Sequence, residues 1–475
     1  MKDLDPGTYR LTAMRTGFVN MEYGARGPNR AGTSIKIAPA QKLTSIDLKL
    51  LPHGVIFGRI VDEDGEPVAG VQVMPMRHRF VQGRKQLSPF GGGTTNDLGE
   101  FRVFGLPPGR YYISATLNPR MMMMDTAQDR SAAPQAEESY LPTYYPGTTD
   151  PTAAAQVELT PGQQIGGIEI RLSRARTVHL RGRVVNLSGV KSSMIQLMMM
   201  PRDSTNYNAM NRAMASTPGG NFEFRGLAPG SYVLTAIIYD NRSPVSSRHL
   251  IDIGSEHVDN FVLNMQPAME IAGAFASEGG KADLTEIRLS LTPSSSDGIS
   301  FGPLPTDRVQ PDGSFKLTNV SPDKYVLRAF PLPEGFYVKS IRLGEQTLAG
   351  DVIDLLAGGG GTLHVTIAEG AVQVEGTVIN DKKELFVGAT VALIPEDRFR
   401  RTQFQFVKTA TSDQHGRFSL KNVDPGEYRI YAWEDIENGA WLDPDITKPV
   451  ESKSKRLSLK PKDRESVEVP LIRNE

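Results

Sequence analysis

The sequence predicts an all-β chain, built as tandem seven-stranded β-sandwiches in an extended array. Three observations predict it. Apolar residues alternate with polar ones at period two over short stretches. Glycine (46) and proline (33) punctuate those stretches. One motif also occurs five times along the 475 residues.

The motif opens the chain as MKDLDPGTYRLTA and returns as LPPGRYYISA, LAPGSYVLTA, VSPDKYVLRA and VDPGEYRIYA. Its copies align on Tyr9, Tyr111, Tyr232, Tyr325 and Tyr428. Five residues earlier stands an aliphatic side chain: Leu4, Leu106, Leu227, Val320 or Val423. Three earlier stands Pro6, Pro108, Pro229, Pro322 or Pro425. Two earlier come Gly7, Gly109, Gly230 and Gly426, with Asp323 in the remaining copy. Proline presets φ and glycine takes positive φ, so the spacing predicts a type II turn. Aspartate tolerates that conformation, which accommodates Asp323.

A strand follows each turn. Tyr428, Ile430 and Ala432 share one face, as do Tyr232, Leu234 and Ala236. That alternation belongs to a half-buried strand. Another strand precedes the turn, marked by Phe101, Phe222, Phe315 and Phe418, each with an apolar residue two later. A glycine turn leads into it, in NDLGE, PGGN, PDGS and DQHG. The pair reads as a hairpin or as a crossing between two sheets. Further back, Gly58, Gly182, Gly273 and Gly376 precede their tyrosines by 53, 50, 52 and 52 residues. Alternating segments such as KRLSLKPKDRESVEVPLI are expected to close each unit as a hairpin. About seven short strands in roughly 100 residues is the size of a two-sheet sandwich. The expected units are 52–174, 175–267, 268–369 and 370–475. Residues 1–51 match only the last strands of a unit, so they are expected to be the C-terminal part of a truncated sandwich.

GRIVDEDGEPVAGVQVMPM with TTNDLGEFRVFGLPPGRYYISA resembles the carboxypeptidase regulatory-like domain. GTVINDKKELFVGATVALIPE with TSDQHGRFSLKNVDPGEYRIYA does so again. In the middle units the DEDGEPVAG element has decayed to NLSGVKSS and SEGGKADL. The resemblance implies an Ig/transthyretin-like sandwich, grading into carbohydrate-binding-like folds. It also implies an accessory module of secreted or envelope proteins of bacteria. Related stalk domains carry an internal Lys–Asn isopeptide bond. The tyrosine strands here have alanine where the helper acid is expected, and the first strands lack a matching lysine, so no such bond is expected.

Composition narrows function further. Basic and acidic residues number 53 and 54, for a net charge of −1, so no field of one sign points to nucleic acid. The absence of cysteine removes disulfides, thiolate metal sites and cysteine nucleophiles. No apolar run reaches the roughly 18 residues of a membrane span. No signal peptide is visible, and the chain is expected to begin inside a longer protein.

Motifs for chemistry are few. None of His53, His78, His179, His249, His257, His364 and His415 has a glutamate three residues on, so no zinc peptidase pattern exists. Gly91–Gly93 and Gly358–Gly361 lack the Lys-Ser/Thr of a phosphate loop and read as turns. Asp62, Glu63, Asp64 and Glu66 could offer oxygens to Ca²⁺, but Asp64-Gly65 between apolar runs is first a turn. Met121–Met124 and Met198–Met200 could offer thioethers to Cu(I). Adaptable packing is the better account, with Met198 and Met200 on one face of a core strand. Trp433 and Trp441 could stack on sugar rings, or could cap a small core.

The expected function is a non-catalytic spacer or interaction protein of the bacterial envelope or exterior, with no catalytic residue, metal or cofactor. Its expected partners are a glycan or an envelope protein. The alternatives are a carbohydrate-binding protein using Trp433 and Trp441, or the accessory region of a larger secreted enzyme or outer-membrane receptor.

Overall fold

A computed structural model describes the chain apart from residues 1–3, 29, 45, 82–83, 118–137, 190–193, 203–209, 217–218, 240–244, 281, 295–303, 349–351, 357–360 and 474–475. It is all-β and holds four sandwiches in sequence. Met121–Met124 and Gly358–Gly360 lie outside the described residues.

Each sandwich repeats one plan. Its first strand lies in the middle of one sheet, antiparallel to the strand before the corner and parallel to the last strand. In the first sandwich Gly54–Val61 lies between Glu100–Leu106 and Gln164–Arg171. In the second, Val178–Asn186 lies between Asn221–Leu227 and Val258–Met265. Met269–Glu278 does the same between Ser314–Val320 and Leu363–Glu369. In the fourth, Val372–Ile379 lies between Arg417–Val423 and Arg464–Ile472. The facing sheets are built on Gln72–Val81 with Gly109–Thr116, Met194–Pro201 with Gly230–Ile238, Arg288–Pro293 with Lys324–Phe330, and Thr390–Pro395 with Gly426–Trp433.

The register explains why a glycine frames every unit. Gly58, Gly182, Gly273 and Gly376 stand directly opposite Phe101, Phe222, Phe315 and Phe418. A Cβ on Gly376 would come within 1.8 Å of the Val467 carbonyl oxygen and 2.8 Å of the Phe418 ring. On Gly58 it would meet the Ile168 carbonyl oxygen at 1.8 Å, and on Gly273 the Phe315 ring at 2.0 Å. At Gly182, Gly273 and Gly376 the phenylalanine ring occupies the space that the glycine leaves, and at Gly58, Gly182 and Gly376 the backbone of the parallel strand closes over it.

The Pro-Gly corner carries the chain from one sheet to the other, which settles the choice between hairpin and crossing. Its inward residues build the core. Leu106, Leu227, Val320 and Val423 are buried, as are Tyr111, Tyr232, Tyr325 and Tyr428. Packing of this kind is worth about 1.5–3 kcal/mol per large apolar side chain.

One expectation is corrected. The closing segments form no hairpin. Lys455–Leu459 pairs with the tyrosine strand Gly426–Trp433, whereas Arg464–Ile472 joins the first strand in parallel. The same split separates Val157–Leu159 from Gln164–Arg171. Alternation marks both strands, but their apolar faces are needed in opposite sheets. In Met194–Pro201, the residues facing the main core are Ile195, Leu197 and Met199; Met198 and Met200 lie on the other face.

Residues 4–51 form two small pairings, Gly7–Tyr9 with Ile35–Ile37 and Thr12–Ala13 with Met21–Glu22. Leu4 is 43% exposed, while its counterparts in the four sandwiches are at most 1% exposed. The sequence expects a row of sandwiches. The structure adds that the two ends of this row touch. Arg30 pairs with Asp435 at 2.8 Å, Arg26 pairs with Glu434, and Phe80 packs against the Trp433–Trp441 cluster.

Candidate functional site

The five aligned tyrosines are corner residues. The Tyr111 hydroxyl donates to the Pro107 carbonyl at 2.6 Å, Tyr232 to Ala228 at 2.7 Å, and Tyr325 to Ser321 at 2.9 Å. Tyr9 repeats the bond to Asp5 at 2.7 Å. Each bond spans four residues and ties the strand to the loop that feeds it. Burial raises the pKa of Tyr111, Tyr232, Tyr325 and Tyr428 above the ordinary phenol value. At Tyr325 and Tyr428 the nearby carboxylates of Asp323 and Asp424 push in the same direction.

The corner is not a type II turn. Gly109, Gly230 and Gly426, which follow Pro108, Pro229 and Pro425, have φ of 149°, 159° and 153°, far from the value near +80° such a turn requires. The left-handed residue lies four positions earlier. It is Gly105, Gly226, Asn319 or Asn422, with φ between 52° and 74°. Glycine and asparagine are the residues that visit this region at least cost. Their fixed place six residues before Tyr111, Tyr232, Tyr325 and Tyr428 was a readable signal that the motif alignment passed over.

Asp323 departs from glycine at a joint between sandwiches. Its carboxylate approaches the Arg248 guanidinium of the second sandwich at 3.5 Å, and both side chains are largely buried. Beside it, the Ser321 hydroxyl donates to the Ser246 carbonyl. The other joints are stitched too. Arg174 binds Glu63 at 3.0 Å and the Tyr140 hydroxyl at 2.9 Å. Arg174–Arg176 also pairs as a strand with Glu138–Tyr140. The Gly335 carbonyl accepts from both Gly370 and Ala371, and Lys462 pairs with Glu369.

Trp433 and Trp441 are brought together, but not as an open platform. They are 3% and 5% exposed, inside a second apolar cluster with Ile394, Tyr431, Ile436 and Leu442. Trp433 stacks on Tyr431 at 5.1 Å with an interplanar angle of 9°. Residues 434–450 fold back over the outer face of the fourth sandwich and cover both rings. A sugar ring needs an uncovered indole face, so the stacking expectation is corrected here to core packing.

The acidic run at 62–66 forms a turn. The Asp62 carboxylate accepts from the amides of Asp64 at 3.0 Å and Glu66 at 2.9 Å. Asn380 makes the same two bonds to Lys382 and Glu384. Lys383 there takes the positive φ that Gly65 takes in the first sandwich. A loop that keeps its shape with two lysines in it owes that shape to the side-chain–backbone bonds, not to a cation.

Sequence reading treats the histidines singly and misses a pair. His179 and His257 stack at 4.0 Å, because the parallel register sets Leu180 beside Val258. The His179 amide donates to Nδ1 of His257, and Nε2 of His179 contacts the Asp259 carboxylate at 3.2 Å. Among the described residues no group of three or more His, Cys, Asp or Glu is arranged to hold a metal. No described helix is long and apolar enough to cross a membrane. Two hydroxyls form a clamp that sequence reading also missed. Thr95 accepts from the Val71 amide and donates to the Val68 carbonyl, and Ser412 does the same with Ala389 and Phe386.

No family model matches the sequence, and no curated protein matches it. Among solved structures, the chain is similar to a Streptococcal ancillary pilin at 12% identity and a TM-score of 0.21, over 62% of this chain and 99% of the pilin. It is similar to the Bacillus anthracis TIE protein at 12% identity and a TM-score of 0.18, over 92% of this chain and 76% of that one. A variant of BcpA, the major pilin subunit of Bacillus cereus, gives 13% identity and a TM-score of 0.16, over 89% and 99%. Scores this low carry no argument about function, and the all-β architecture rests on the strand pairing itself.

Proposed function

We propose that the chain is a non-catalytic protein of the bacterial cell envelope or exterior, whose carboxypeptidase regulatory-like sandwiches hold interaction surfaces at fixed separations. The observation that carries this reading is the stitching of the joints. Arg248 with Asp323, the strand Arg174–Arg176 with Glu138–Tyr140, and the Gly335 carbonyl with two amides each span a junction between sandwiches. Flexible tethers between independent modules do not need such bonds. The resemblance of GRIVDEDGEPVAG and GTVINDKKELFVG to the regulatory-like domains supports the envelope setting.

Pairs of spin labels in the second and third sandwiches test the reading. A single narrow distance distribution is expected. In Asp323→Ala the distribution widens, because the ion pair that crosses the junction is removed. A distribution already broad in the native chain sinks the spacer reading.

A further inference from the structure

We propose that residues 17–28 and 30–36 are an electrostatic clasp that closes the four sandwiches into a ring, and that screening the clasp opens it. The inference needs no assumption about the cellular setting.

One end of the clasp is fixed to the entry of the first sandwich. Val19 donates to the Leu51 carbonyl at 2.8 Å, His53 donates to the Gly17 carbonyl at 2.9 Å, and Phe18 bridges Pro52. The other end lies on the fourth sandwich. Arg26 pairs with Glu434 and sits 4.9 Å from the Phe386 ring centroid. Arg30 pairs with Asp435 at 2.8 Å, and the Gln414 amide donates to the Lys36 carbonyl at 3.3 Å. Two cations on the clasp thus meet two consecutive anions on the sandwich. Next to this strip, Phe80 of the first sandwich packs into the cluster of Trp433 and Trp441. The positive φ of Gly439 lets the backbone come so close that a Cβ there would stand 3.1 Å from the Phe80 carbonyl oxygen.

Consecutive sandwiches touch at their joints, so this seam completes a closed circuit. It is more open to salt than the joint held by Arg248 and Asp323. The side chains of Arg26, Glu434, Arg30 and Asp435 are 41%, 27%, 28% and 33% exposed, against 17% and 14% for Arg248 and Asp323. Screening acts first on the exposed pairs. Nε1 of Trp441 is buried without a partner among the described residues, and release would let it reach water.

The absence of cysteine makes the test clean. Spin labels on cysteines at Asp64 and Lys382, both exposed, report the separation of the first and fourth sandwiches. At low salt a short distance is expected, and at about 1 M salt a longer one, since the Debye length falls to about 3 Å and part-exposed ion pairs weaken as salt rises. Glu434→Lys with Asp435→Lys should shift the closed-to-open ratio by roughly tenfold at low salt. Adding Arg26→Glu with Arg30→Glu should restore the short distance, which a misfolded variant would not do. An unchanged distance in the double variant and at high salt overturns the proposal. So does a lengthened distance that the reciprocal variant fails to restore, or a short distance that appears only as protein concentration rises, which would place the contact between copies.

Discussion

At Tyr9, Tyr111, Tyr232 and Tyr325 one phenol oxygen ties the corner to its strand. In Tyr111→Phe the Pro107 carbonyl loses its donor in a buried place, so a loss of about 1–3 kcal/mol is expected in urea unfolding. Tyr9 makes the same bond to Asp5 but is only half-buried, and Tyr9→Phe should change stability by less than about 0.5 kcal/mol. The buried phenols also give the protein an alkaline limit. Burial raises their pKa in the folded state, while the unfolded chain ionises near the ordinary value of about 10. Above that pH the unfolded state binds fewer protons than the folded one, so stability falls as pH rises. Below it the contribution is fully present. The urea midpoint should therefore drop as pH rises above about 10, with a shallower drop in Tyr232→Phe.

At the scale of elements, the glycine–phenylalanine crossing separates two kinds of glycine. Gly376→Ala drives a methyl into the Val467 backbone oxygen, which cannot swing away, and should cost more than about 2 kcal/mol. Gly254→Ala meets nothing within 4 Å and needs no positive φ, so it should be neutral within about 0.5 kcal/mol. Thermal unfolding of the two variants decides the matter. Ser412→Ala removes both bonds of a fully buried hydroxyl and leaves the Ala389 amide unpaired, at a cost of about 1–3 kcal/mol. Hydrogen exchange should show that loss within the fourth sandwich. Strands of this kind were legible because burial alternates every second residue, as in Tyr428, Ile430 and Ala432. Their partners were not. Lys455–Leu459 and Arg464–Ile472 look like two arms of a hairpin until the parallel ladder to Val372–Ile379 is seen. That ladder joins residues far apart in sequence, and local pattern holds no record of it. Likewise, nothing in YAWEDIENGAW shows that residues 434–450 double back over Trp433.

For the whole molecule, the most telling feature is the parallel pairing of first and last strands in all four sandwiches. A chain under tension pulls each sandwich by those two strands. Parallel neighbours drawn from opposite ends slide along their length, so the load falls on every ladder bond at once instead of on one after another. Pulled end to end in a force spectrometer, the Val372–Ile379 and Arg464–Ile472 pair should hold until a single abrupt rupture. The rate of that rupture, not the equilibrium stability, then sets how long a loaded sandwich survives. Pulled crosswise, perpendicular to the strands, the same ladder would unzip bond by bond at much lower force. The fold thus has a strong axis and a weak one, and the covalent chain runs along the strong one.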